Sequence, residues 1–351
     1  MMQSLKRRNF ILSLAALAAA AMLSIVLAVC LGTVKIAPAE ALQILLYKAF
    51  QLNPGNTIDQ ISAAHMDIIW KIRLPRVLMA AIVGAGLAVC GTAMQSSVQN
   101  PLADPYILGI SAGASLGATF SILINAAAGG MGIAFWAFAG ALGACVLVMA
   151  LSSIGGQMST IKMILAGTIA NALFIAFSNC IIYLAGNAEG IRTVTFWTMG
   201  SLAAAKWHNL ALPAGGVLLG CLFFLAQSRN LNTMLLGEEA AITLGIDLTK
   251  VRRNNLIMTA LVTGLIVATC GVIAFVGLII PHIVRGFVGS DHRRLLPSVI
   301  LTGILFLIWA DVLARSLLPS GELPIGIITA MIGAPFFLYI LYKNSLGFAG
   351  K

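Results

Sequence analysis

Apolar residues run along this chain in long blocks, and the polar residues gather between them. Ten blocks fall at about 10–32, 75–98, 106–126, 131–154, 161–185, 209–227, 254–272, 273–289, 295–318 and 325–343. A helix rises about 1.5 Å per residue, so about 20 apolar residues cover the roughly 30 Å hydrocarbon core of a bilayer. Blocks of this length predict about ten transmembrane helices in an all-α integral membrane protein. Blocks seven and eight are nearly continuous, and Gly271 is the expected break. Two polar stretches interrupt the series. The first, about 33–72, contains Pro38, Asn53-Pro54-Gly55 and an amphipathic piece from Ala39 to Phe50, and reads as the first external loop. The second, about 229–253, is the most charged part of the chain. No soluble domain or tandem repeat stands out, so residues 1–351 read as a single polytopic domain.

Composition agrees. The chain is 60% hydrophobic and 9% charged, with a mean hydropathy of +1.00. Soluble domains carry about 25% charged residues. The net charge of +10 comes from residues in short inter-helix segments and lacks the interleaved aromatics of a nucleic-acid surface. With the N-terminus inside and ten crossings, thirteen Lys and Arg lie on the inner side and eight on the outer. This bias places both termini in the cytoplasm. The apolar run Phe10–Leu31 is too long for a secretory signal and lacks a small-residue cleavage pattern, so an uncleaved first helix is expected. The six cysteines lie in apolar runs without C-x-x-C spacing and read as packing residues. Gly113-x-x-x-Gly117 and Gly216-x-x-x-Gly220 predict close helix approach.

Three segments carry more than hydrophobicity. Arg73-Leu74-Pro75-Arg76 puts fixed positive charge at the outer end of the second span. It reads either as interfacial anchoring or as a cationic patch for an acidic partner. The ordered string from Gln95 to Gly113 holds Asn100-Pro101 and Asp104-Pro105, a tight cytoplasmic connection. In the stretch Leu235–Asp247, Gly237 and Gly245 bracket a short helix with Glu238 and Glu239 at its positive end. Its Ala240, Ala241 and Leu244 form an apolar face too short to cross a membrane and suited to a groove on a cytoplasmic partner.

Together these pieces resemble the permease family of type II ABC importers, which take up iron–siderophores, haem and cobalamin. The matching strings are Arg73-Leu74-Pro75-Arg76, Asn100-Pro101-Leu102-Ala103-Asp104-Pro105 and Leu108-Gly109-Ile110-Ser111-Ala112-Gly113. Phe196-Trp197-Thr198-Met199-Gly200-Ser201-Leu202, Gly237-Glu238-Glu239-Ala240-Ala241-x-x-Leu244-Gly245, Phe275 to Arg285 and Glu322-Leu323-Pro324-Ile325-Gly326 follow in family order.

The resemblance implies two permease subunits around a central pathway, with a homodimer expected, in the bacterial inner membrane. Two cytoplasmic ATPases would bind the segment Gly237, Glu238, Glu239, Ala240, Ala241, Leu244, Gly245. A periplasmic or lipid-anchored binding protein would present acidic residues to Arg73, Arg76 and Arg315. An iron chelate, siderophore or haem, is the expected cargo, with cobalamin as the alternative.

No G-x-x-x-x-G-K-[ST] loop is present, so the chain is not the ATP hydrolase. ATP and Mg belong to the partner, and no cofactor or metal is expected here. No clustered nucleophile, base or metal set suggests a membrane enzyme. An ion-coupled secondary transporter is the rival reading, with Asp311 as its one candidate intramembrane acid. An i,i+4 pair of Asp311 with Arg315 near the outer interface is the favoured reading of that residue. His282 reads as part of a half-length helix end before it reads as a metal ligand, and Met79, Met94 and Met199 read as packing.

Overall fold

The computed structural model describes residues 2–32, 34, 36–52, 61–124, 132–156, 158–318 and 321–348. Asn53-Pro54-Gly55 of the expected external loop lies outside them. In chain order the helices are α1 (Met2–Cys30), α2 (Pro38–Phe50), α3 (Ala63–Asp67), α4 (Leu74–Ser97), α5 (Ile110–Leu123), α6 (Ile133–Ser152), α7 (Thr160–Ala185) and α8 (Ala188–Thr198). They continue as α9 (Trp207–Ala226), α10 (Ser228–Met234), α11 (Glu238–Thr243), α12 (Leu248–Cys270), α13 (Val276–Val288), α14 (His292–Ser316) and α15 (Ile325–Phe348). A π-helical turn, Ile68–Arg73, joins α3 to α4, and a 3-10 turn, Pro105–Leu108, precedes α5.

Each of the ten apolar blocks is a helix. Seven are long and apolar enough to cross a membrane, and α5, α13 and α15 contribute shorter apolar stretches. At 13 residues α13 extends only about 20 Å, short of the bilayer core. The chain before it is extended, beginning at Gly271 with φ 70° and ψ −165°. The freed backbone groups there have partners inside the protein: Ser201 N donates to Cys270 O at 2.7 Å, and Tyr106 Oη donates to Ile273 O at 3.0 Å. Unwound backbone at this depth is tolerated only when its polar groups are satisfied in this way.

Helix α4 forms the axis of the bundle and is buried along almost its whole length, against α14, α9, α12 and α13. Small residues allow this. A Cβ on Gly91 would lie 1.9 Å from Gly277 O, and one on Gly84 would lie 2.2 Å from Gly303 O, so backbones touch at both crossings. The expected approach at Gly113 and Gly117 is also present, against Gly140 O and Trp136 O of α6. Gly216 and Gly220 instead face side chains, Leu265 and Val262. Helices α8 and α10 fall outside the apolar blocks. Both are short: α8 packs on α5 with Gly190 and Val194 buried, and α10 packs on α14 and α4 with Leu231 and Met234 buried.

Candidate functional site

The residues singled out in the sequence form two polar clusters at opposite ends of α4. At the Ser97 end lies α11. Gly237, at φ 101° and ψ 162°, opens it in a conformation that side-chain-bearing residues rarely adopt. Ile246 N then donates back to Ala241 O at 3.0 Å, and Gly245, at φ 83°, turns the chain toward α12. Asp247 caps α12 by accepting from Lys250 N at 2.9 Å. Ala241 is fully buried against Met234 and Leu248. Leu244 points the other way and is 63% exposed, and Leu235, Leu236 and Ile242 join it as exposed apolar side chains. The outward face of this segment is therefore larger than the sequence reading gave it, and Ala241 serves its inner face.

The residue that ties this segment to the bundle is Arg252, 1% exposed. Its guanidinium donates to Ser97 O (3.0 Å) at the end of α4, Met158 O (2.7 Å) before α7, Thr160 Oγ1 (3.0 Å) at the start of α7, and Glu238 Oε1 (2.6 Å) on α11. The bond from Arg252 holds the Glu238 carboxyl below its ordinary range, with burial opposing it. Gln99 Nε2 adds a second tie, donating to Met234 O at 2.8 Å. In the sequence Arg252 is one of several basic residues in the charged stretch 229–253. Spacing could have found it: Leu248, Arg252, Asn255, Leu256 and Thr259 lie on the buried stripe of α12, while the adjacent Arg253 is exposed.

Beside this cluster α10 is pinned to α14. Asn232 Nδ2 donates to Asp291 Oδ1 at 2.7 Å, and Asn232 Oδ1 accepts from His292 N at 2.8 Å. The buried His292 ring also meets Ser96 Oγ, Nε2 to Oγ 2.7 Å. Arg285 Nη1 donates to Gln95 Oε1 at 2.5 Å. His282, in α13, packs edge-on to Phe336 and Phe337. Among the described residues no group of three or more His, Cys, Asp or Glu side chains is placed to hold a metal ion.

At the other end the structure brings Arg73, Arg76 and Arg315 together, each no more than 7% exposed. Arg73 donates to Val29 O, Cys30 O and Val34 O, at 3.0, 3.0 and 2.5 Å. Arg315 donates to Leu31 O at 2.7 Å and Ala28 O at 2.6 Å. Those acceptors are mostly the last carbonyls of α1, which have no partner within the helix and carry its negative dipole end. Arg76 donates to Asp311 Oδ1 at 2.8 Å and to the half-exposed Glu322 Oε2 at 2.6 Å. Arg315 Nε lies 3.3 Å from Asp311 Oδ2, the expected i,i+4 pair, but without hydrogen-bond geometry. All three arginines line a cavity of about 220 Å³ with Gly32, Ile72 and Glu322. The trio is thus collected, but its guanidinia are bonded within the chain.

A model of the FecCD transport family matches residues 20–343. The chain belongs to that family. It is 42% identical over 274 residues to the cobalamin import system permease protein BtuC of Halobacterium salinarum, covering 78% of this chain and 73% of that protein. It is 39% identical over 282 residues to the hemin transport system permease protein HmuU of Yersinia pestis, covering 79% and 84%. A solved inward-facing conformation of a metal-chelate type ABC transporter superposes with a TM-score of 0.80 at 31% identity, covering 94% of this chain and 98% of that one. This FecCD-family chain is therefore an ABC-importer permease and a multi-pass membrane protein, and permeases of this kind are not themselves enzymes.

Proposed function

We propose that this FecCD-family chain is the permease subunit of an importer that passes an iron chelate, a ferric siderophore or haem, at the expense of ATP hydrolysed by separate subunits. The surface around α11 carries the reading. Leu235, Leu236, Ile242 and Leu244 are exposed beyond the spans, with Glu239 beside them, on a segment anchored from behind by Arg252. Such a patch fits a groove on a cytoplasmic ATPase, two of which serve a pair of identical permeases. The Lys and Arg balance supports an orientation with both termini in the cytoplasm of the inner membrane.

A periplasmic or lipid-anchored binding protein is assigned to the opposite end, where Arg73, Arg76 and Arg315 gather. Because Arg73 and Arg315 hold α1, the place for an incoming carboxylate is beside Arg76, whose partner Glu322 is 43% exposed. Cobalamin is the second cargo reading, favoured by the relative from Halobacterium salinarum. Asp311 is engaged by two arginines at one end of the bundle, which argues against a role as a midplane ion-coupling acid.

The test is reconstitution in proteoliposomes with the ATPase purified separately. ATP-dependent uptake of a ferric siderophore or haem above cobalamin is expected. Ile242→Glu with Leu244→Glu should abolish ATPase binding without lowering the permease melting temperature. Uptake by the permease alone, driven by a proton gradient, would refute the reading.

A further inference from the structure

A second polar feature lies at the Ser97 end, away from α11. Helices α1, α13 and α14 enclose a cavity of about 300 Å³ lined by Asn9, Phe10, Ser13, Phe287, Val288 and Arg294. Its walls divide by chemistry. Phe10, Phe287 and Val288 supply apolar surface, and Phe287 is 86% exposed. Asn9, Ser13 and Arg294 supply an amide, a hydroxyl and a guanidinium. The cavity sits where α1 enters its apolar run, at Arg8, and where the apolar helix α14 begins, and a span end of this kind meets the headgroup region of a bilayer.

The guanidinium of Arg294 lies over the Phe10 ring, 5.6 Å from its centroid. A cation–π contact of this kind positions an arginine without using its N–H donors in a hydrogen bond. Among the described residues no carboxylate is in ion-pair contact with it. Asp291, three residues earlier, is within electrostatic reach, but its Oδ1 accepts from Asn232 Nδ2 and Arg293 N. Arg294 also stands in the first turn of a 25-residue helix, whose dipole adds positive potential, and its neighbour Arg293 and Arg8, just before Asn9 and Phe10, are exposed. An oriented cation at the polar end of a half-apolar cleft matches an amphipathic anion: a phosphate ester carrying acyl chains.

We propose that this cleft holds an anionic glycerophospholipid, its phosphate on Arg294 and its acyl region along Phe10, Phe287 and Val288. The inference rests on the proposed orientation only for the leaflet that supplies the lipid, the cytoplasmic one. The test is native mass spectrometry and thermal melting of the full-length permease with phosphatidylglycerol, phosphatidylcholine and inorganic phosphate as separate probes. Phosphatidylglycerol should stay bound and raise the melting temperature, and phosphatidylcholine should do neither. Arg294→Gln should weaken phosphatidylglycerol binding by about tenfold or more, the size of one charge-assisted hydrogen bond. Arg293→Gln should leave it within about twofold. If Arg294→Gln lowers expression, Phe10→Leu should reproduce the loss, since it removes the cation–π contact and keeps an apolar wall. Equal binding of both lipids, wild-type affinity in Arg294→Gln, or inorganic phosphate binding as tightly as the lipid would each overturn the proposal. None of these readouts needs an ATPase or a cargo, so they stand apart from the transport assay.

Discussion

Replacing Arg252 by methionine should loosen α11 from the bundle while leaving the membrane helices in place. The substitution removes four hydrogen bonds, but their loss is unequal. Ser97 O and Met158 O accept from a guanidinium that is 1% exposed, and methionine fills the volume without replacing the donors. A buried carbonyl left without its donor costs about 1–3 kcal/mol, so the two together give about 2–6 kcal/mol. Glu238 differs because its side chain is 39% exposed and is hydrated once the arginine is gone. Screening by solvent keeps its share within about 1 kcal/mol. Thr160 Oγ1 keeps a partner, since it also donates to Glu238 Oε1 at 3.1 Å. Arg252→Met should therefore cost several-fold more than Glu238→Gln.

Hydrogen exchange of the purified permease reads the difference locally. The amides of Ala241, Leu244, Gly245 and Ile246 are bonded within 237–246 and report whether that segment stays formed. Arg252→Met should speed their exchange strongly and Glu238→Gln slightly, with α4 and α14 unchanged in both. With the ATPase bound, Arg252→Met should keep hydrolysis and lose most cargo uptake. Equal effects of the two substitutions, or unaltered exchange at 241–246 in Arg252→Met, would refute the reasoning.

Three further outcomes follow from the geometry. Asp311→Asn leaves the buried guanidinia of Arg76 and Arg315 short of counter-charge, a loss of about 3–5 kcal/mol that should appear as a lower melting temperature in detergent. Gly91→Ala drives a methyl to 1.9 Å from Gly277 O and should destabilise by about 1–3 kcal/mol or more, whereas Gly143→Ala, with nothing within 4 Å, should melt as wild type does. Acid should loosen α11 slightly, as Glu238→Gln does: the Glu238 carboxyl is held below its ordinary 4.5, so its stabilising contribution is complete above 4.5 and is lost as pH falls through the lowered value. Exchange at 241–246, corrected for intrinsic rates, should accelerate in that window in wild type and change little in Arg252→Met.

How much of this was legible in the sequence depends on what each feature is made of. An apolar block of about 20 residues reports its own solvent, so all ten helices could be read from hydropathy alone. The short α11 was legible too, because Gly237 and Gly245 bracket it and acids sit at its start. Its orientation was not. On a regular helix Ala241 and Leu244 would share a face, but α11 ends at Thr243, and Leu244 already turns outward. Arg73, Arg76 and Arg315 were legible as a group but not in their surroundings. The partners of Arg73 and Arg315 are backbone carbonyls at and just beyond the end of α1, some 40 residues from Arg73 and more than 280 from Arg315, and a carbonyl has no sequence signature.

The same donor group does comparable work at both ends of α4, and the contrast between the helices it reaches bears on how a push at α11 would travel. Arg252 is bonded to the end of α4 and to the start of α7, with Glu238 held between them. Helix α4 cannot yield alone: Gly84 and Gly91 lock it to α14 and α13 by backbone contact, and Arg76 fastens its far end to Asp311 and Glu322. Helix α7 packs on α5 and α6 along one side, while Ile161, Leu165, Ile169, Leu173, Phe177 and Tyr183 are exposed. Close-packed helices transmit displacement as rigid bodies, and lightly packed ones can pivot. On the proposed docking at α11, a force at Glu238 would meet a fixed post in α4 and, in α7, a helix that this chain packs on one side only. Arg252, bonded to both, would carry that force between them, and on this proposal its loss should uncouple the two ends of the permease before it unfolds either.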